Sequence, residues 1–365
     1  MSAMAWVAVF LISFLIANFM VPYILLASLR KRLIDVPNKR KVHTVTSSRL
    51  GGVSFYPSII VSVSLVVMGG LWFDQSLMNS GVSMQFMLMS CACFIMYVTG
   101  LFDDVVGVRY RSKFVVQTLA SLLIVSSGVW INDLHGLFGI HEVPFWIGVP
   151  VSMLLLVSIM NAINLIDGID GLASGLSMIA LVVFGIYFIV LKDVSLSLVA
   201  FASLGCLLAF FRYNVRGFHR KQLKIFMGDT GSLVVGTILG TCAIKLTQYS
   251  GIVGDKTIYA QLEIFPMLMA YSVLVVPCFD VIRVMISRRR RGKSMFLPDK
   301  SHIHHKLLAL GLSARRSLSV ILLISAGIIL SNALLSLVIS MEWIVLFDIV
   351  AYSLINLYIS KKITK

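Results

Sequence analysis

Apolar runs long enough to cross a bilayer recur from one end of this 365-residue chain to the other. About eleven of them reach the length that roughly 30 Å of hydrocarbon demands of a helix. They cover roughly 5–29, 52–73, 83–101, 114–131, 144–163, 172–191, 194–211, 232–248, 262–286, 317–340 and 343–360. Only 13% of the residues are charged, against about a quarter in soluble domains. The expected fold is therefore an all-α polytopic membrane protein, one domain of about 11 transmembrane helices with no linker or low-complexity segment. The first run lacks a basic start and exceeds a signal-peptide core of about 7–15 residues, so it reads as a retained anchor. The five cysteines all fall inside apolar runs, as small buried hydrophobes rather than disulfide partners.

Lys and Arg orient the spans. Of the 31, 28 fall on one set of alternating connections, and only Lys192, Lys245 and Lys256 fall on the other. Positive residues accumulate in cytoplasmic loops, so the N-terminus is expected outside and the C-terminus in the cytoplasm. The net charge of +15 reflects this sidedness and attraction to anionic lipid, and it needs no nucleic acid. The same topology gathers four chemical motifs on the basic face: "FDD", "NAINLIDGIDG", "FMGDTGS" and "SHIHH".

Asp103 and Asp104 are adjacent at a span end. Neighbouring carboxylates repel unless a cation screens them, and Mg²⁺ takes one or two carboxylates plus substrate phosphates. A solvated interfacial turn is the plainer alternative. In the second motif Asn161, Asn164, Asp167 and Asp170 are spaced by three. That spacing drifts around a 3.6-residue helix, so the four cannot share one face. The helix is expected to end near Leu165, with Gly168 and Gly171 opening the backbone so that amides and carboxylates point into one pocket. A capped turn between helices is the alternative.

"KIFMGDTGSL" puts Asp229 at the start of a span, where free N–H groups attract anions. An aspartate there repels phosphate unless a metal bridges the two. Phe226 is either an interfacial aromatic or a ring that stacks on a base. His302, His304 and His305 lack the second ligand pair of a zinc site and fit better as a clamp for a diphosphate. "SRRRRGK" reads as a headgroup anchor. Asp280 and Arg283, three apart on a span, read as a structural pair, and Asp348 has no evident partner in the sequence.

The order "GLFDD…K…Q", "NxxNxxDGxDGLA", "FMGDTGS" and "PDxxHxHHxL…G" resembles the polyprenyl-phosphate N-acetylhexosamine-1-phosphate transferases, glycosyltransferase family 4, over about residues 35–316. "HIHH" looks like the N-acetylglucosamine-1-phosphate branch; the peptidoglycan-precursor translocases, the alternative branch, typically carry three consecutive histidines. The chain departs from the family at Ser48 and Met295, where proline is usual. The resemblance implies transfer of a sugar-1-phosphate from a UDP-sugar to undecaprenyl phosphate, with release of UMP. It implies Mg²⁺, or alternatively Mn²⁺, on Asp229, Asp167 and Asp103, with Asp103, Asp104 and Asp229 catalytic. It assigns phosphate to Lys41 and Lys113, nucleotide or metal to Asn164, Asp167 and Asp170, and further substrate binding to His43, Asn161 and Asn214. Uracil falls to Phe226, and the sugar diphosphate to His302, His304 and His305. A two-step route through an aspartyl adduct stays open, as does a homodimer.

A transporter is the rival from another class. Transporters bind near the midplane on broken helices, often in repeated halves. Here no motif repeats and the carboxylates lie at one face. The charge distribution predicts that a tag added after Lys365 resists protease applied outside intact cells; cleavage there would invert the topology.

Overall fold

The computed structural model of the chain describes residues 3–31, 33, 47–73, 84–217, 224–249, 265–292 and 301–363. Each expected apolar run contains a helix among its described residues, although the run 114–131 is helical only as far as Ser126. The first seven helices are α1 (Ala3–Arg30), α2 (Phe55–Phe73), α3 (Met84–Val105), α4 (Tyr110–Ser126), α5 (Phe145–Ile166), α6 (Leu172–Val190) and α7 (Val194–Arg216). Then follow α8 (Gly228–Thr247), α9 (Phe265–Ser272), α10 (Val275–Arg290), α11 (Ile303–Ala309), α12 (Ala314–Leu335) and α13 (Met341–Ile363).

Among the described residues nine helices are long and apolar enough to cross a membrane. Helices α9 and α10 pass together as one span bent by 59°. Helix α4, with 17 residues and about 26 Å long, falls in the expected run 114–131 but is not among these candidate spans. The expected run 262–286 is thus the bent pair. In hydrocarbon only structures that satisfy their own backbone groups span, which is why long apolar stretches become helices here.

Packing inverts the usual pattern of a soluble protein. Leu15 and Phe19 of α1 are 62% and 65% exposed, facing the space lipid would fill. Helix α8 is the hub: 89% of its apolar window is buried, against 28% for α1. Its composition explains this. Lipid tails are as apolar as leucine, so helices associate through close packing, and small residues allow it. Helix α8 is rich in Gly, Ser and Thr, and the Thr237 and Thr241 hydroxyls donate back to their own helix, to the carbonyls of Leu233 at 2.7 Å and Thr237 at 2.8 Å. It packs on α3 and α5, and α1 packs along α7.

The one sheet among the described residues is two parallel strands, β1 (Ser47–Ser48) and β2 (Lys224–Ile225). The Phe226 N–H donates to the Ser48 carbonyl at 2.7 Å, and the Gly52 N–H donates to the Met227 carbonyl at 2.9 Å. The pairing lays the 3₁₀ helix Leu50–Ser54 against the start of α8. A Cβ on Gly52 would stand 2.0 Å from the Gly231 nitrogen, so only glycine fits between these two backbones. Gly52→Ala is expected to cost about 1–3 kcal/mol through overpacking. The measurement is the thermal midpoint in detergent, and an unchanged midpoint would contradict the close approach.

Candidate active site

The C-terminal ends of α3, α5, α7 and α10 and the N-terminal ends of α4, α6 and α8 meet at one end of the bundle, where all four motifs lie. Asp104, near the end of α3, reaches across to the first turn of α8. Its Oδ1 accepts the Asp229 N–H at 2.8 Å, and its Oδ2 accepts the Thr230 N–H at 2.9 Å and hydroxyl at 2.6 Å. The first N–H groups of a helix have no partner within it. No side chain of the α8 cap position supplies one, and Asp104 does so from another helix.

That clamp sets Asp103 beside Asp229. Lys113, in the first turn of α4, bridges them: its ammonium is 2.9 Å from Asp103 Oδ2 and 3.1 Å from Asp229 Oδ2. Asp103 Oδ1 also accepts the Val108 N–H at 2.7 Å, which closes the turn between α3 and α4. The two adjacent aspartates thus do different things. Asp104 is committed to backbone, while Asp103 shares a lysine with Asp229.

Helix α5 ends at Ile166, next to the expected Leu165, and Asp167 leaves the helix at φ −73°, ψ 57°. Before that end, Asn164 donates to Asp229 and, at 2.8 Å, to Ser232 Oγ. Asn161 points elsewhere. It exchanges hydrogen bonds with buried Gln117 of α4 at 2.9 and 3.3 Å and donates to the Val157 carbonyl at 2.8 Å. Asp170 pairs with Lys224 of β2, while its other oxygen is buried without a partner. Asn214 is buried at the end of α7, accepts the Gly171 N–H and donates to the Ile225 carbonyl at 2.8 Å. It latches the Asp167–Gly171 turn to β2. The carboxyl of Asp167 is pushed up to about 7, first by burial and then by the negative charges of Asp170, Asp229 and Asp104.

The histidines close the other side. His302 is buried, and its Nδ1 lies 2.7 Å from Asp280 Oδ2. Asp280, fully buried on α10, also accepts from Arg283 at 2.8 Å and from the Ile303 N–H at 3.0 Å. The structural pair expected at Asp280 and Arg283 is therefore also the seat of a site histidine. His304 is 1% exposed, and both its ring nitrogens lack a partner. Burial, followed by the charge of His305, pulls its pKa down to about 3, so the ring is neutral. Its ring stacks on His302 with centroids 5.7 Å apart and lies 4.3 Å from His305. A Cβ on Gly168 would stand 2.0 Å from His304 Nε2, so this glycine lets the histidine helix touch the aspartate turn. Phe226 is half-buried just after β2, in the short segment that leads into α8.

Lys41 and His43, like Met295, lie outside the described residues. Lys224, Gln117 and Thr230 carry contacts that no sequence spacing announced, because their partners stand 54, 44 and 126 residues away. Among the described residues no three carboxylate, histidine or cysteine side chains stand ready to hold a metal ion. A preformed cage is not what Mg²⁺ requires when phosphates complete its shell. Crowded carboxylates, with Asp167 pushed up first by burial and then by its neighbours' charge, and a partnerless buried oxygen on Asp170 would suit a divalent ion whose shell phosphates complete.

Fold and site together define an all-helical, multi-pass membrane protein with a carboxylate, lysine and histidine centre at one end of its bundle. A family model described as glycosyl transferase family 4 matches residues 86–247. The chain is 32% identical over 354 residues to the probable undecaprenyl-phosphate N-acetylglucosaminyl 1-phosphate transferase of Bacillus subtilis (strain 168), covering 94% of this chain and 88% of that one. It is 32% identical over 310 residues to the decaprenyl-phosphate N-acetylglucosaminephosphotransferase of Mycobacterium leprae (strain TN), covering 81% and 74%. Against the undecaprenyl-phosphate alpha-N-acetylglucosaminyl 1-phosphate transferase of Escherichia coli (strain K12) the identity is 25% over 298 residues, covering 80% and 74%. The chain belongs to glycosyl transferase family 4.

The geometry separates the adjacent aspartates by experiment. Asp104→Ala leaves buried donors at the start of α8 unpaired, at a cost of about 1–3 kcal/mol each. Its thermal midpoint in detergent should fall well below that of Asp103→Ala. Equal midpoints would contradict the clamp.

Proposed function

We propose that this protein transfers N-acetylglucosamine 1-phosphate from UDP-N-acetylglucosamine to undecaprenyl phosphate and releases UMP, beginning a lipid-linked surface glycan such as lipopolysaccharide or a cell-wall polymer. The names of its relatives support the coarse reaction, transfer of a sugar phosphate to a polyprenyl phosphate. The observation that carries the reading is the meeting of Asp103, Lys113, Asn164 and Asp229 with the partnerless His304 across the Asp167–Gly171 turn.

One substrate comes from water and the other from lipid, so the reaction belongs at the membrane interface. The basic connections argue for the cytoplasmic face of the inner membrane. In the reaction an oxygen of the lipid phosphate attacks the sugar-bearing phosphorus of the UDP-sugar. A new P–O bond forms, the bond to the bridging oxygen breaks, and UMP leaves with that electron pair. Such transfers need positioning and charge neutralisation more than covalent help.

Lys113 would hold the incoming phosphate by exchanging one of the two carboxylates that its ammonium now bridges, Asp103 and Asp229. Asp103, fixed by Lys113 and Val108, would orient that phosphate rather than deprotonate it, since a phosphate monoester with a second pKa of about 6 is largely ionised already. Asp229 and Asp167 would hold Mg²⁺, or Mn²⁺ in its place. That ion would supply charge neutralisation between the two phosphates. Asn164 keeps Asp229 in place. Neutral His304 is available to hydrogen-bond the sugar diphosphate, and His302 stands in a fixed orientation on Asp280. Phe226 would stack on uracil. Asp104, Asn161 and Asn214, spent on internal hydrogen bonds, would shape the site without touching substrate.

A panel of UDP-sugars with undecaprenyl phosphate, scored by UMP release and lipid product, tests the assignment. UDP-N-acetylglucosamine should be preferred, EDTA should abolish turnover, and Asp103→Asn should lower it by about 100-fold or more through misplacement. Product from no UDP-sugar, or full turnover in excess EDTA, would overturn it.

A further inference from the structure

A second polar feature lies away from the carboxylates. Helices α10 and α13 enclose a cleft of about 710 Å³. Its walls are apolar and open toward lipid: Ile282, Ile286 and Leu357 are 52%, 48% and 58% exposed. Its rim is cationic, formed by Arg290 and Arg291 at the end of α10 and Lys306 on α11. Among its described lining residues there is no carboxylate. Arg283 also lines it, but that guanidinium is committed to Asp280 and the Ser301 carbonyl. Among the described residues the Lys306 ammonium hydrogen-bonds to neutral oxygens, Asn356 Oδ1 at 3.3 Å and Ser360 Oγ at 2.9 Å. Burial and the nearby charge of Arg283, partly offset by the charge of Asp280, pull its pKa down to about 8.

An apolar slot under a cationic rim, with no carboxylate among its described lining residues, at the end of membrane helices, has the chemistry of a lipid with an anionic head. We infer that this cleft is a binding site for an anionic phospholipid, its phosphate held by Lys306 and Arg290 and its chains laid along Ile282, Ile286 and Leu357. Basic pockets between transmembrane helices bind such headgroups.

The lipid is resident rather than reacting. His304 and Lys306 are two residues apart on α11, about 200° around the helix. His304 faces Gly168 and the aspartate turn, while Lys306 faces α13. A phosphate on Lys306 is therefore behind the histidine helix, on the side away from the carboxylates. In that position it braces α11 from the rear.

Native mass spectrometry of the detergent-purified protein tests this, with added phosphatidylglycerol or phosphatidylcholine. The wild type should retain phosphatidylglycerol in preference, and excess undecaprenyl phosphate should not displace it. Lys306→Gln and Arg290→Gln should each weaken retention about fivefold, the equivalent of roughly 1 kcal/mol per charge near a headgroup. Arg290 is exposed at the helix end, so its replacement leaves packing intact and keeps the test valid if Lys306→Gln unfolds. Equal retention of the two phospholipids, unchanged retention in Arg290→Gln, or displacement by undecaprenyl phosphate would each overturn the assignment.

Discussion

One carboxylate from α3 caps the start of α8, and the site depends on that contact. A helix that begins inside a bundle starts with N–H groups that neither water nor its own turns can satisfy. Asp104 accepts two of them, and the Thr230 hydroxyl as well. A hydrogen-bonded pairing across helices fixes distance and rotation together. With α8 locked to the end of α3, Asp229 stands opposite Asp103, and the lysine at the start of α4 falls between them. Strand β1 and the Leu50–Ser54 turn press the same helix start from the other side through Gly52.

The remaining walls are held by polar latches of the same kind. Asn214 ties the aspartate turn to β2, Lys224 ties Asp170 to it again, and Gln117 with Asn161 couples α4 to α5. Asp280 gathers His302, Arg283 and the first N–H of α11, so one buried carboxylate seats the histidine helix. In a medium without water, each such group must be paired or costs several kcal/mol. Among the buried groups left without a protein partner, the second Asp170 oxygen and both nitrogens of His304 lie at this site, and in the proposed reaction they would face substrate.

Much of this was legible in the sequence, for definite reasons. Apolar length gives the spans directly, since the bilayer imposes one thickness on all of them. The break after Leu165 followed from a three-residue polar spacing that a helix cannot present on one face, and α5 ends at Ile166. The grouping of the motifs followed from alternation of span ends. What stayed hidden is the division of labour among similar residues. Nothing in "FDD" says that the first aspartate faces a lysine and the second a helix start, because that depends on how α3 is rotated against a helix 125 residues later. Asn161 and Asn164 look equivalent in the motif, yet one turns to Gln117 and the other to Asp229. The Asp280–Arg283 pair was visible as an i, i+3 spacing, but its histidine was not, being 22 residues away across a bend.

The central claim is that carboxylates from separate stretches of chain, Asp167 and Asp229 above all, share one divalent ion at one end of the bundle. Anomalous X-ray scattering from crystals grown with Mn²⁺ and UDP-N-acetylglucosamine measures this directly. A single strong peak in bonding contact with Asp229 and Asp167 is expected. A peak at the histidines alone, or none near the aspartates with nucleotide bound, would contradict it.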